Sequence, residues 1–119
     1  MLQTEELVKH VINTLEDHKA QQITKIDLRK IENCFCSFFV ICHGNSGTHI
    51  AGLTDYVEEE VKKKLGDTPF HTEGQNSTQW AVLDYGDVVV HIFDKTLRDY
   101  YQLEEFWGDG IVETIETIE

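Results

Sequence analysis

Apolar residues recur along the chain with two different spacings, and the wider spacing predicts helices. In segments 7–15 and 50–65 they follow one another at three- and four-residue steps, which indicates two amphipathic helices. Thr4 and Ser46 stand where N-cap residues of these helices belong. Gly66 directly follows the second segment, as a C′ glycine does. The pattern therefore predicts both helices together with three of their four ends.

Shorter segments between the helices have the patterns of β-strands. Gln22–Leu28 alternates between apolar and polar residues, which predicts a strand with one buried face. Cys36–Cys42 is apolar almost throughout, which predicts a strand covered on both faces. Gln79–Leu83 and Val88–Phe93 are two further strand-like runs, and the four-residue connection 84–87 has glycine in its third place. Such a connection favours a β-hairpin.

The last third of the chain completes the predicted order of elements. Thr96 opens a helical stretch, Leu97–Trp107, and a flexible acidic tail is expected over residues 109–119. No repeat or linker interrupts the chain, so we expect one domain over residues 1–119 with a folded core over 1–108. The order predicts an α/β fold, with a mixed sheet of four or five strands packed with helices.

Charge narrows the range of partners. The formal net charge is −12, and residues 73–119 contribute −9 of it because their only bases are Lys95 and Arg98. Nucleic acids and anionic membranes are bound mainly through Lys and Arg. We therefore expect no binding of DNA, little direct contact with RNA, no membrane association and an affinity for a basic protein. The first residues resemble neither a signal nor a transit peptide, which favours the cytoplasm.

The sequence offers only weak candidates for catalysis or metal binding. Cys36 and Cys42 would lie about 20 Å apart on one strand, too far to share a zinc ion, and Cys34 with Cys36 alone is an incomplete site. Asp84 and Asp87 stand three residues apart around a turn, where aspartate commonly serves the turn itself. We expect neither a metal nor a cofactor.

Aromatic residues are concentrated near acids late in the chain. Seven of the twelve lie between Trp80 and Trp107, in a segment that also holds six carboxylates. Aromatic anchors within a charged rim are typical of a protein-binding surface. Trp80, Tyr85 and the stretch Tyr101–Trp107 are the candidates for such a surface.

Several segments are similar to the ribosomal silencing factor family, the Iojap-related proteins. The similarity runs from about Ile26 to Trp107 and is most specific in the block from Trp80 to Phe93. It rests on Asp27-Leu28-Arg29, Phe39-Val40-Ile41-Cys42-His43-Gly44-Asn45-Ser46, Glu73-Gly74, Trp80-x-x-Leu83-Asp84-Tyr85-Gly86-Asp87-Val88-Val89-Val90-His91-Ile92-Phe93 and Arg98-x-x-Tyr101-x-Leu103-Glu104-x-x-Trp107.

The resemblance implies a translational repressor rather than an enzyme. Members of this family bind the large ribosomal subunit through its basic protein L-fourteen, which blocks joining of the small subunit, chiefly when nutrients are scarce. A role in large-subunit assembly is also attributed to them. The fold implied is an α/β sandwich related to nucleotidyltransferases but without their catalytic acids.

These arguments together predict a partner-binding surface, and an alternative stays open. The expected contact residues are Trp80, Leu83, Asp84, Tyr85, Asp87, Arg98, Tyr101, Leu103, Glu104 and Trp107. A homodimer is a possible second partner when the protein is not on the ribosome. The alternative is a nucleotide-binding or nucleotidyltransferase-type enzyme with a degenerate site at Gly44–Ser46, Asp84 and Asp87.

Overall fold

A computed structural model describes residues 2–29, 37–69, 71–73, 80–96, 98 and 111–114. In these residues helices and strands follow one another in the order α1 (Leu2–Asp17), β1 (Gln21–Asp27), β2 (Phe38–Gly44), α2 (Gly47–Leu65), β3 (His71–Glu73), β4 (Trp80–Asp84), β5 (Val88–Asp94) and β6 (Ile111–Thr114). The predicted strands and the first two helices are confirmed, although several of their ends are shifted. The prediction of Thr4 as the N-cap of the first helix is wrong, because α1 already begins at Leu2 and Thr4 lies within it. The predicted last helix, Leu97–Trp107, lies almost entirely outside the described residues.

Helix α2 begins and ends at the residues that its sequence indicates. The side chain of Ser46 accepts a hydrogen bond from the backbone N–H of His49, which satisfies one of the unpaired donors of the first turn. Gly66 adopts the left-handed conformation, with φ of 72°, and its N–H donates to the carbonyl of Lys62. None of the helices within the described part of the chain has the length and apolar character needed to cross a bilayer.

The strands form a single mixed sheet in the order β3-β4-β5-β2-β1-β6. The pair β2–β5 is parallel, and the other four pairs are antiparallel. The register of β1 against β2 shifts between Gln21 and Thr24, where Gln22 has a positive φ of 46°. Ile23 and Ile26 lie three residues apart and are buried on opposite faces of the sheet, so the prediction that this strand has only one buried face is wrong.

The two faces of the sheet bury different sets of side chains. Helices α1 and α2 pack on one face, which we call the helix-covered face, against residues such as Val40, Leu83 and Ile92. We call the opposite face the ring face because the rings of Trp80, Phe39, His91 and Phe93 lie there. Successive residues of a strand point to opposite faces, so both faces draw on the same strands.

The α/β class with a mixed sheet is confirmed, but the sheet is wider than predicted. It contains six strands instead of four or five, because Ile111–Thr114 pairs with β1. These four residues were expected to belong to a flexible tail, and for them that prediction is wrong. A run this short carries little strand signal by itself, and the ladder of β1 supplies its hydrogen-bonding partners.

Candidate partner-binding site

Strand β4 presents a line of partly exposed side chains on the ring face. Trp80, Val82 and Asp84 are all partly exposed, whereas the intervening Ala81 and Leu83 are buried on the helix-covered face. Four residue steps separate the ends of this line, so it extends for about 13 Å. We call Trp80, Val82 and Asp84 the β4 strip; it combines an indole, an aliphatic side chain and a carboxylate.

The indole of Trp80 is held by neighbouring rings. It stacks on Phe93, with ring centroids 5.3 Å apart and an interplanar angle of 19°, and on His91 at 6.2 Å and 25°. Its Nε1–H donates a long hydrogen bond of 3.4 Å to Nδ1 of His91. Phe39 contacts the imidazole of His91 edge-on, with centroids 4.9 Å apart. The indole is therefore partly exposed to solvent while its ring is held in place by the aromatic side chains around it.

His91 is a neutral core residue. It is 8% exposed, and burial lowers the pKa of its imidazole to about 4. Because Nδ1 accepts the indole hydrogen, the neutral ring carries its proton on Nε2. The Nε2 atom is buried and finds no hydrogen-bond partner among the described residues. A histidine that interrupts an apolar strand is expected from sequence to be a hydrogen-bonded core or rim residue, and for His91 this is confirmed.

Tyr85 and Leu83 do not lie on the surface. Leu83 is fully buried and Tyr85 is 7% exposed, both in the core beneath the helices. Burial, followed by the nearby acids Glu58 and Asp67, raises the pKa of the Tyr85 phenol. The expectation that Tyr85 is an exposed interface residue is wrong, because odd-numbered residues from position 81 to 85 all face the helices.

Asp84 and Asp87 shape the turn between β4 and β5. One carboxylate oxygen of Asp84 accepts from the backbone N–H of Gly86 at 2.8 Å, and Gly86 has a positive φ of 89°. Asp87 is exposed and accepts a hydrogen bond from the Thr4 hydroxyl at 3.2 Å, which ties the start of α1 to the hairpin. The predicted hairpin is confirmed, and both acids serve it structurally.

Arg98 is a buried connector and not an exposed contact. It is 7% exposed and donates hydrogen bonds to the Thr24 hydroxyl at 3.0 Å, to Nδ1 of His43 at 3.1 Å and to the carbonyl of Gln21 at 3.4 Å. These contacts attach the segment after β5 to β1 and β2. Placing Arg98 on a partner-binding surface is therefore wrong for this conformation.

The ten predicted contact residues do not form one patch. Trp80 is paired in register with Phe93, which is paired with His43, so Trp80 and the Arg98 connector lie at the same end of the sheet. Asp87 lies at the other end, beyond β4. Tyr101, Leu103, Glu104 and Trp107 lie outside the described residues.

The alternative catalytic constellation is also divided. Ser46 follows the C-terminal end of β2, whereas Asp84 and Asp87 flank the N-terminal end of β5, which runs parallel to β2. Seven residues of β2 separate these ends by about 20 Å. Gly44–Ser46 and the two aspartates therefore cannot act on one substrate.

Cys42 and the metal candidates give no site in the described part of the chain. The thiol of Cys42 is fully buried under the helices, and burial raises its pKa to about 12. No group of three or more histidines, cysteines or carboxylates that could hold a metal ion occurs among the residues that the structure describes. Cys34 and Cys36 lie outside them.

The segment Asp27-Leu28-Arg29 takes part in an ion-pair network with Glu5. The guanidinium of Arg29 contacts Asp27 at 2.7 Å and Glu5 at 3.1 Å, and it lies 4.9 Å from the centroid of the Phe38 ring. The hydrogen bond from Arg29 holds the pKa of Asp27 below its ordinary value. A groove of about 290 Å³ runs beside this network. Because Asp27 and Glu5 both form ion pairs with Arg29, the positive charge of its guanidinium is balanced within the protein.

The predicted contact residues did not include two members of the site, Val82 and His91. Val82 could have been found from the period of two in β4, which places it beside Trp80 and Asp84 on one face. His91 stands in an otherwise apolar run of β5, which is an unusual place for a polar ring. Its contact with Trp80 depends on strand pairing and has no signal in either segment alone.

The fold and the site define an α/β protein with one mixed sheet, a capped hairpin and a surface strip suited to contact with another macromolecule. A family model described as "RsfS: Ribosomal silencing factor during starvation" matches residues 2–119. The chain belongs to the ribosomal silencing factor family, which also includes the Iojap-related proteins.

Relatives agree with this assignment over nearly the whole chain. Ribosomal silencing factor RsfS of Halalkalibacterium halodurans is 33% identical over 117 residues, which cover 98% of each protein. The crystal structure of protein CV0518 from Chromobacterium violaceum gives a TM-score of 0.81 at 33% identity, covering 87% of this chain and 85% of that one. A mouse relative named "Mitochondrial assembly of ribosomal large subunit protein 1" is 27% identical over 99 residues, which cover 82% of this chain and 43% of its own.

Replacing Tyr85 by phenylalanine is expected to stabilise the protein. The Tyr85 hydroxyl is buried without a hydrogen-bond partner among the described residues, so its removal should raise the free energy of unfolding by about 1 kcal/mol. Urea denaturation measures this change. Tyr56→Phe is the matched control, because Tyr56 is 44% exposed and its hydroxyl should matter by less than about 0.5 kcal/mol. If Tyr85→Phe were less stable than the wild type, the Tyr85 hydroxyl would have to make a favourable hydrogen bond.

His91 should make the stability of the protein depend on pH below neutrality. Its pKa is about 4 in the folded protein and 6.5 ordinarily, so between these values the unfolded chain binds more protons. The free energy of unfolding therefore falls as pH is lowered through this window, by at most about 1.4 kcal/mol per pH unit from this residue. Urea denaturation between pH 4 and 7 should give a steeper dependence for the wild type than for His91→Asn. Equal slopes would show that His91 is not buried in its neutral form.

Proposed function

We propose that this chain binds the large ribosomal subunit through its basic protein L-fourteen and thereby prevents the small subunit from joining. Its membership of the ribosomal silencing factor family supports a ribosomal partner. The observation that carries the choice of contact face is the β4 strip, since it is the part of the predicted surface whose described side chains remain partly exposed together.

The β4 strip has the properties of a protein-binding surface. Trp80 is the residue type most often found as a binding hot spot, and its ring is already fixed by Phe93 and His91. A side chain that is ordered before binding loses less entropy on binding. Val82 adds apolar area beside the indole, and Asp84 adds a charge at the end of the strip. This arrangement favours contact with a folded protein.

The charge of the chain favours a basic partner. Residues 73–119 contribute −9 of the net charge of −12, and β4 and β5 lie within that segment. Opposite charges on the two partners speed association, whereas the buried apolar contact governs the lifetime of the complex. A basic ribosomal protein fits both requirements.

The proposed mechanism is steric and needs no turnover. The sheet carries helices on one face and the β4 strip on the other, so a docked chain would leave its helical layer outward and occupy the space that the small subunit approaches. The divided positions of Ser46 and the hairpin aspartates argue against an enzymatic role. Repression during nutrient starvation and a cytoplasmic location belong to the same proposal, and the name of the mouse relative makes assembly of the large subunit a related role.

Trp80→Ala should weaken binding to purified large subunits. Loss of a hot-spot indole costs about 2 kcal/mol, or roughly a thirtyfold increase in Kd. Cosedimentation measures this change, and sucrose gradients of mixed subunits should show that joining resumes at protein concentrations that block it for the wild type. Tyr56→Ala is the control, because it removes an exposed ring from α2 on the opposite side of the sheet. Equal losses for both variants would exclude the β4 strip as the contact face.

Asp84→Asn should slow association with the large subunit and make it less dependent on salt. The amide oxygen of asparagine can still accept from Gly86, so the turn is kept while one charge is lost. Stopped-flow association at graded salt measures the effect, because screening weakens steering between opposite charges. Asp55→Asn makes the same change on exposed α2 and should leave the rate nearly unchanged. Identical salt dependence in both variants would place the electrostatic contact elsewhere.

A further inference from the structure

The Trp80 indole makes a polar contact with His91 inside an aromatic cluster. Stacking on Phe93 fixes the plane of the indole but leaves it able to slide or turn in that plane. The hydrogen bond from Trp80 Nε1–H to Nδ1 of His91 is directional, so it selects one orientation. That orientation determines which edge of the indole faces away from the sheet.

Packing alone does not account for a histidine at position 91. The ring lies among Phe39, Phe93 and Trp80, where an apolar side chain would avoid the cost of burying two nitrogens. Only Nδ1 has a partner, and the Nε2–H group is buried without one among the described residues. The acceptor at Nδ1 is what histidine offers Trp80 at this position and what an apolar ring would lack.

We propose that His91 is a positioning residue for ribosome docking, whose Nδ1 atom holds the Trp80 indole in the orientation that the partner recognises. This inference rests on the proposed function, because it assigns to Trp80 the contact with the large subunit. His91 itself is buried and does not touch the partner. It acts through Trp80, and its contribution is the acceptor atom and not the bulk of the ring.

The variants His91→Asn and His91→Leu separate these two contributions. Asparagine and leucine both branch at Cγ and are both smaller than histidine, but only asparagine places an acceptor where Nδ1 stands. Leucine should be the more stable variant, since it buries no amide in the aromatic cluster. Asparagine should be the better binder, within about threefold of the wild type, whereas leucine should lose about tenfold in affinity for purified large subunits. A purely structural role predicts the same ranking for stability and for affinity.

A second measurement tests the contact without the ribosome. The ¹⁵N–¹H signal of the Trp80 indole, assigned through Trp80→Phe, should move clearly in His91→Leu and little in His91→Asn. In the wild type, the ¹⁵N signals of the His91 imidazole should indicate that Nε2 carries the proton.

The outcomes distinguish failure of this inference from failure of the proposed function. An unchanged indole signal in His91→Leu, or affinity that follows stability in the two variants, would overturn the positioning role. Wild-type protein that does not bind large subunits would overturn the proposed function, and with it the docking role of His91, even if the indole signal confirms the hydrogen bond.

Discussion

Strands β2 and β5 pair in parallel over seven residues, and every position of β2 is buried. Because a strand directs alternate side chains to opposite faces, this pair contributes side chains to the core on each face of the sheet. Val40 and Ile92 pack beneath the helices, whereas Phe39 and Phe93 build the ring face. The parallel direction also sends the hairpin aspartates and the Ser46 turn to opposite ends of the sheet. The division of the molecule into a helical layer and an aromatic layer follows from this single pairing.

Several structural features that depend on a few adjacent residues were predicted correctly from the sequence. The helix periods, the Ser46 cap, the glycine at position 66 and the hairpin around Gly86 each depend on a few adjacent residues, and the structure contains all of them. Strand β6 could not be predicted in this way, because its partner β1 lies at the other end of the chain. A segment that acquires its ladder from a distant strand need carry little strand propensity itself.

The candidate site was predicted in part, and the errors have one cause. Grouping residues by their nearness in sequence placed Leu83 and Tyr85 with Trp80, although the period of two in β4 separates them. The same period would have selected Val82. The roles of Arg98 and His91 can be predicted only when the neighbouring strands are known. Their contacts join β5 and the residues after it to β1, β2 and β4. Family resemblance supplied the function but did not distinguish exposed residues from buried ones.

Two polar residues lie in the interior on the ring-face side of the sheet. His91 and Arg98 both place a hydrogen-bonding group among buried side chains, and each holds another segment in a defined position. Such contacts contribute specificity of shape more than stability. If the chain docks as proposed, these contacts would serve to keep its surface fixed.

The pairing of Thr24 with Thr114 has a consequence for the kinetics of folding. About three quarters of the polypeptide forms the loop that this contact closes, and loop closure costs entropy before the new hydrogen bonds compensate for it. The hairpin of β4 and β5 can form early, because its two strands are joined by a short turn. We expect β6 to join the sheet after the hairpin has formed, so that β1 is an edge strand until then.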